Sequence, residues 1–254
     1  MSTTIAVSGK GGSGKTTVAS MLVRAVLERP DNGSVLCIDA DPNSCLALAL
    51  GVEPGTTVAE IREQSRTKPD DAGGMDRVRA FEYGLQQAVV EAGRFDLVTM
   101  GRPEGPSCYC AVNNLLRRIL DELGSKYQFV IIDNEAGMEH LSRRTTNKVD
   151  LLCIVAEPTP VGVLTAQRIV GLAKQLPIIV NETGVLWNRV DADHPPTGEL
   201  RAVAHVPEDA FVLQASKRGE SVFALPESSP ALQAVRGVVD RIVTGSQTKL
   251  TSKS

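Results

Sequence analysis

The string GKGGSGKTT at residues 9–17 combines residue types that bind phosphate. Gly9, four further residues, then Gly14, Lys15 and Thr16 satisfy the G-x-x-x-x-G-K-[ST] spacing. Gly11, Gly12 and Gly14 let the backbone close around an anion and aim N–H groups at its oxygens, with Ser13 between them. Lys15 would neutralise the β- and γ-phosphates, Thr16 would reach a magnesium ion, and Thr17 continues into a helix whose positive end faces the same anion. ATP with Mg2+ is the ligand this chemistry implies.

A second group of residues offers metal chemistry. Of five cysteines, Cys108 and Cys110 stand one residue apart in GRPEGPSCYCAVNN, outside any periodic apolar pattern. Thiolates suit soft divalent metals, but two cannot complete a tetrahedral site. His140, His194 and His205 lack the compact spacing to Cys110 of a local zinc knuckle. A bond between the two thiols would close a small, strained ring. A chance pair of inert thiols stays open, and metal binding is the preferred reading. Cys37, Cys45 and Cys153 read as core thiols.

Strands and helices must position these groups. Apolar runs at Thr4–Ser8, Val35–Asp39, Phe95–Met100, Phe129–Asp133, Leu151–Ala156, Gly184–Trp187 and Ala202–Val206 read as strands. Continuous runs such as FVIID and LLCIVA suit strands buried on both faces. Helical patterns at Thr16–Glu28, Val112–Leu123, Gly162–Gln175 and Ala231–Val243 lie between or after them. The alternation predicts an α/β fold, a single domain with a mainly parallel twisted sheet of about seven strands and helices on both faces. Its expected extent is 1–243, with a polar insertion at 62–76 and an unordered tail at 244–254.

The 254 residues carry a formal net charge of −3, with 42% hydrophobic and 22% charged residues. That balance argues against a broad electrostatic grip on nucleic acid. The chain has neither a membrane-length apolar run nor an N-terminal leader pattern, so a reducing, cytoplasmic setting is expected, with no membrane partner.

Lys10 makes the loop resemble the deviant phosphate loop K-G-G-x-G-K-[ST]-T of the MinD/ParA-like ATPases. The resemblance implies a homodimer in which Lys10 crosses to the partner's nucleotide, and a catalytic set of Lys10, Lys15 and Asp41. In CIDADPNS, Asp41 would orient the attacking water and Asp39 would support the magnesium shell. Asp133 in FVIIDNEAG would join that shell, with Gly137 in a γ-phosphate-sensing loop. Asn188 in VLWNRV would read adenine, and Pro207, Glu208 and Asp209 in HVPEDAF would cover it.

A two-fold dimer also answers the shortage of thiolates, because two copies of Cys108 and Cys110 supply four ligands. The segments DADPNSC, GRPEGPSCYCAVNN and DNEAGMEHLSRRT, with the loop, resemble the CooC-type nickel-insertion ATPases of carbon monoxide dehydrogenase maturation. That resemblance implies an ATP-dependent metallochaperone holding Ni2+ or Zn2+ at the cysteine pair and serving a client metalloenzyme. It leaves Glu135, Glu139 and His140 as residues of coupling rather than ligation. The alternatives are a MinD/ParA-type positioning or partitioning switch and an iron–sulfur redox ATPase like nitrogenase iron protein.

Overall fold

The computed structural model describes residues 2–30, 33–67, 84, 86–102, 124–135, 148–175, 179–191 and 200–251. Within them an eight-stranded sheet is built from β1 (Thr3–Gly9), β2 (Val35–Ala40), β3 (Val89–Glu91), β4 (Asp96–Thr99), β5 (Phe129–Asn134), β6 (Lys148–Ala156), β7 (Ile179–Val190) and β8 (Ala202–Pro207). The order across the sheet is β3-β4-β2-β5-β1-β6-β7-β8. Every pairing is parallel except β3 with β4.

All seven expected strands are present. β2 and β5 are buried along their whole length, as continuous apolar runs between two helical layers require. The eighth, β3, folds back antiparallel on β4, with Val89 opposite Val98 and the Gly93 turn in the left-handed region at φ 74°. Three residues are too few for a periodicity to show.

The helices are α1 (Lys15–Leu27), α2 (Leu46–Leu50), α3 (Val58–Thr67), α4 (Pro160–Ala173), α5 (Ala210–Arg218) and α6 (Pro230–Thr251). The helical pattern at Val112–Leu123 lies outside the described residues. Residues 62–67 of the polar segment belong to α3. Its start is a capping box: the Thr57 N–H donates to Glu60 Oε2 at 2.8 Å, and the Glu60 N–H donates to Thr57 Oγ1 at 3.2 Å. Likewise α6 runs past Val243 to Thr251, because extending a formed helix gains one hydrogen bond per residue added.

The larger core packs α1 and α6 against one face of the sheet, through Val18, Leu22 and Val26 of α1 and Leu232, Val235 and Val239 of α6. On the other face Ala166, Ile169 and Ala173 of α4 meet Leu152, Ile154 and Trp187. Arg24 of α1 is 5% exposed, yet its guanidinium is satisfied. It donates to the carbonyls of Val222 and Leu225 at 2.9 and 2.7 Å and pairs with Glu28 and Glu227. Arg24→Met is expected to destabilise the protein by about 3 kcal/mol, because two carbonyls and two carboxylates lose a buried cation. A urea midpoint measurement checks this.

The sheet carries β1, β2, β5, β6, β7 and β8 to one edge with their carboxyl ends together. In open parallel sheets that edge, where the chain order reverses, holds the ligand. Here the reversal lies at β1, from which the chain crosses β5 to reach β2.

Candidate functional site

Gly9 ends β1 at φ 150°, with its α-carbon so close to β6 that an added Cβ would sit 2.2 Å from the Val155 carbonyl. The loop then turns on itself: the Ser13 N–H and hydroxyl both donate to the Lys10 carbonyl, at 3.2 and 2.9 Å. Gly14 caps α1 at φ 93°, in the left-handed region that favours glycine. An added Cβ there would meet Asn188 Nδ2 at 2.4 Å. Lys15 is 6% exposed and its Nζ reaches the Lys10 carbonyl at 3.4 Å. The Lys10 side chain is exposed, as are Gly11 and Gly12, while Thr16 and Thr17 are half-buried in the first turn of α1.

Two carboxylates face this loop from neighbouring strand ends. Asp39 and Asp133 are register partners across β2 and β5, and both are fully buried. Asp39 Oδ2 accepts from the Leu46 N–H at 2.8 Å and Oδ1 from the Asp41 N–H at 3.2 Å. Burial raises its pKa to about 7, with the Asp133 charge adding and the Leu46 N–H opposing. Burial likewise raises Asp133 to about 6, against the lowering influence of Thr16 and Lys15. Neither Asp133 oxygen has a hydrogen-bond partner among the described residues, and Thr16 faces it without closing an ordinary bond.

Two buried, unpartnered anionic oxygens beside a threonine hydroxyl suit a hydrated divalent cation, whose shell donates to both. The residues therefore fit magnesium: Thr16, Asp133 and Asp39 are the groups that would hold it. Asp41 is half-buried at the mouth of the site, and its Oδ1 accepts from the Asn43 N–H and Nδ2 at 2.9 and 2.8 Å.

A separate pocket opens beside the first turn of α1. Its lining includes Thr17, Met21, Asn188, Pro207, Glu208 and Val212. Asn188 is 8% exposed, and its Nδ2 donates to the Ser13 carbonyl at 2.8 Å. The geometry suits a nucleoside whose phosphates extend over Gly14 to Lys15.

The model of the CobQ/CobB/MinD/ParA nucleotide-binding domain matches residues 4–228, spanning the sheet and every element around the loop. The chain belongs to this family of P-loop ATPases. Among CobQ/CobB/MinD/ParA relatives, an uncharacterized ATP-binding protein of Methanocaldococcus jannaschii is 36% identical over 94% of this chain and 98% of its own. The carbon monoxide dehydrogenase accessory protein CooC of Rhodospirillum rubrum is 34% identical, with 89% of this chain and 90% of CooC covered. The septum site-determining protein MinD of Pyrococcus horikoshii, solved with Mg-ADP, superposes with a TM-score of 0.69 at 22% identity, covering 95% of this chain and 96% of MinD.

Within this CobQ/CobB/MinD/ParA framework, the structure sorts the residues singled out in the sequence. Gly11 to Thr17, Asp39, Asp41 and Asp133 come together around one loop. Asn188 and Pro207 to Asp209 line one pocket. The Asp209 carboxylate is at the same time committed to the fold. Oδ1 caps α5 through the Phe211 N–H at 2.8 Å, and Oδ2 accepts from Ser229 Oγ and the Ala231 N–H at 2.6 and 3.1 Å. Against the opposing effect of burial, these bonds hold its carboxyl below the usual range. Asn188 likewise has one amide hydrogen engaged by the loop backbone.

Cys45 is exposed rather than a core thiol, because α2 turns it away from Leu46 and Leu50. Burial first, then Asp39, Asp41 and Asp133, raises its pKa. Cys37 and Cys153 are buried as expected, and burial pushes the Cys153 thiol up to about 12. Glu135 is half-buried just past β5. Cys108, Cys110, Gly137, Glu139 and His140 lie outside the described residues.

Sequence reasoning did not single out Asn134, Met21 or Val212. Asn134 is 1% exposed and its Nδ2 donates to the Val7 carbonyl at 2.9 Å, tying β5 to β1. Only its place after Asp133 could have drawn attention to it. Met21 and Val212 carry no signal beyond apolar periodicity.

Proposed function

We propose that this protein is an ATP-driven metallochaperone. It acts as a homodimer that holds nickel, or zinc in the same place, on Cys108 and Cys110 of both subunits. The client is carbon monoxide dehydrogenase or a related metalloenzyme, in a reducing cytoplasmic setting that keeps the thiols available. The observation that carries this reading is the Cys-Tyr-Cys loop in a chain 34% identical to CooC over 89% of its length.

In this reading the chain's own groups act in a defined order. The loop N–H groups and Lys15 hold the triphosphate, and the nucleoside lies against Asn188 and Pro207. Lys10, exposed on the loop, reaches a second subunit's phosphates and draws the two chains together. Asp41 Oδ1 holds its own turn, which leaves Oδ2 to orient a water in line with the γ-phosphate. Magnesium, when bound, disperses the charge that develops on the phosphoryl oxygens. Loss of the γ-phosphate releases the segments carrying Asp41 and Asp133, which loosens the shared metal site and lets the cargo pass to the client.

The test is metal content per chain beside molecular mass, with and without a non-hydrolysable ATP analogue. One nickel or zinc per two chains, in a dimer, is the expected result. Cys108→Ala and Cys110→Ala should each remove the metal and keep nucleotide binding. A metal-free protein that still dimerises with nucleotide would leave a positioning or partitioning switch. A brown chromophore would point to an iron–sulfur cluster.

A further inference from the structure

Consecutive residues of a regular strand point to opposite faces, yet Asn188 and Arg189 of β7 reach the same loop. Asn188 Nδ2 donates to the Ser13 carbonyl at 2.8 Å, and Arg189 Nη1 lies 3.4 Å from the carbonyl of Gly12, one residue earlier. A break in the β7–β8 register between Asn188 and Val190 makes this possible. At that break Arg189 adopts φ 55°, one of only two non-glycine residues in the left-handed region among the described residues. Bulges with a residue held there re-aim side chains beside functional sites.

The same nitrogen, Arg189 Nη1, is paired with Glu157 Oε1 at the end of β6. Glu157 is itself well anchored. The Thr159 N–H donates to its carbonyl at 2.8 Å, and Gly162 of α4 packs so closely that an added Cβ would lie 2.1 Å from that oxygen. The Glu157–Arg189 pair thus joins two cavities beside the phosphate loop. Glu157 lines a cavity with Lys10, Gly11 and Gly12, and Arg189 lines the nucleoside pocket.

We propose that Arg189 is a positioning residue for nucleotide binding: anchored by Glu157, its guanidinium holds the Gly12 carbonyl outward and presets the phosphate loop. In a trans peptide the N–H points opposite to the preceding carbonyl. The Gly12–Ser13 peptide is held at both ends, its oxygen by Arg189 and its N–H by the Lys10 carbonyl. The Ser13–Gly14 peptide has its oxygen on Asn188, which turns the Gly14 N–H toward the phosphate side. Two neighbouring strand residues therefore orient two successive peptide planes before any ligand arrives. Preorganised donors bind an anion more tightly than donors that must first be ordered.

The inference rests on nucleotide binding at this loop and not on any metal cargo. The Arg189 and Glu157 side chains are 52% and 37% exposed, so their ion pair adds little by itself; its effect is read in the loop. The experiment measures displacement of a fluorescent ADP by ADP, pyrophosphate and adenosine, beside thermal unfolding, for the wild-type protein and its variants. Lys15→Ala marks the loss of phosphate binding.

Arg189→Ala and Arg189→Gly should each weaken ADP and pyrophosphate about tenfold and adenosine by clearly less than either. Arg189→Gly should unfold at an unchanged or higher temperature, because glycine adopts this φ without cost. Arg189→Lys keeps one donor nitrogen between the same partners and should recover most of the affinity. Glu157→Ala should weaken binding less than Arg189→Ala does, and adding it to Arg189→Ala should change nothing further. Wild-type affinity for ADP in Arg189→Gly, an equal loss for adenosine, or additive losses in the double variant would overturn the proposal.

Discussion

Lys15→Ala is expected to leave a folded protein that no longer turns over ATP. Lys15 is 6% exposed at the start of α1, so its ammonium meets the phosphates in a site with little competing water. Removing one charged donor aimed at the transferring phosphoryl group costs about 100- to 1,000-fold in turnover. Nucleotide affinity should fall about a hundredfold as well, since a buried charge pair loses one partner. The fold should change little, because the hydrogen bond from Nζ, to the Lys10 carbonyl at 3.4 Å, lies within the loop itself. Isothermal titration with ADP and a steady-state phosphate-release assay check both parts. Lys10→Ala provides the contrast. Its side chain is exposed in a single chain, so turnover and dimer formation should fall while ADP still binds. Equal loss of ADP binding in both variants would place Lys10 in its own subunit's site.

The second large effect is on pH. Asp39 and Asp133 have pKa values raised to about 7 and about 6, chiefly by burial. A cation that needs both ionised must displace their protons as the pH falls. Magnesium-dependent ATP affinity should therefore drop with decreasing pH below 7. The slope should steepen below 6 toward a hundredfold per unit, one factor of ten for each proton. Titrations from pH 5 to 8 at fixed magnesium measure it. Asp133→Asn should weaken magnesium-dependent binding throughout and flatten the slope by one proton. A pH-independent affinity for wild type would show that these carboxylates do not face the cation.

The same groups set the sign of stability without magnesium. A carboxyl whose folded pKa exceeds its unfolded value binds more protons in the folded state. Stability is then greatest below the unfolded value near 4 and is lost as pH rises through the folded values of about 6 and 7. The metal-free protein should melt at a higher temperature at pH 5.5 than at pH 8, as far as these two groups contribute. Saturating magnesium should reduce the difference.

Much of the frame was legible because the signals were local. FVIID and LLCIVA read as strands because a parallel sheet covered on both faces accepts apolar residues at every position. Less was read where the signal was short or where several local signals competed. β3 has only the residues Val89–Glu91. α3 and α5 begin at Thr57–Glu60 and Asp209, both of which are ordinary capping residues. Asp209 lies in the segment expected to cover the nucleotide, and its carboxylate is bound by its own cap and by Ser229. A residue's type shows what it can bond; only its neighbours in space show which bonds are already made.

By itself the sequence determined the phosphate loop and the identity of most strands. Each is a contiguous pattern whose geometry follows from backbone sterics or side-chain chemistry within a few residues. Tertiary structure alone decided that Asp39 and Asp133 share a rung of the sheet beneath Thr16. It alone bent β7 at Arg189 so that two neighbouring side chains meet one loop. The physical reason is that register and bulges are set by how whole strands bury against their neighbours, and that burial is a property of the packed sheet.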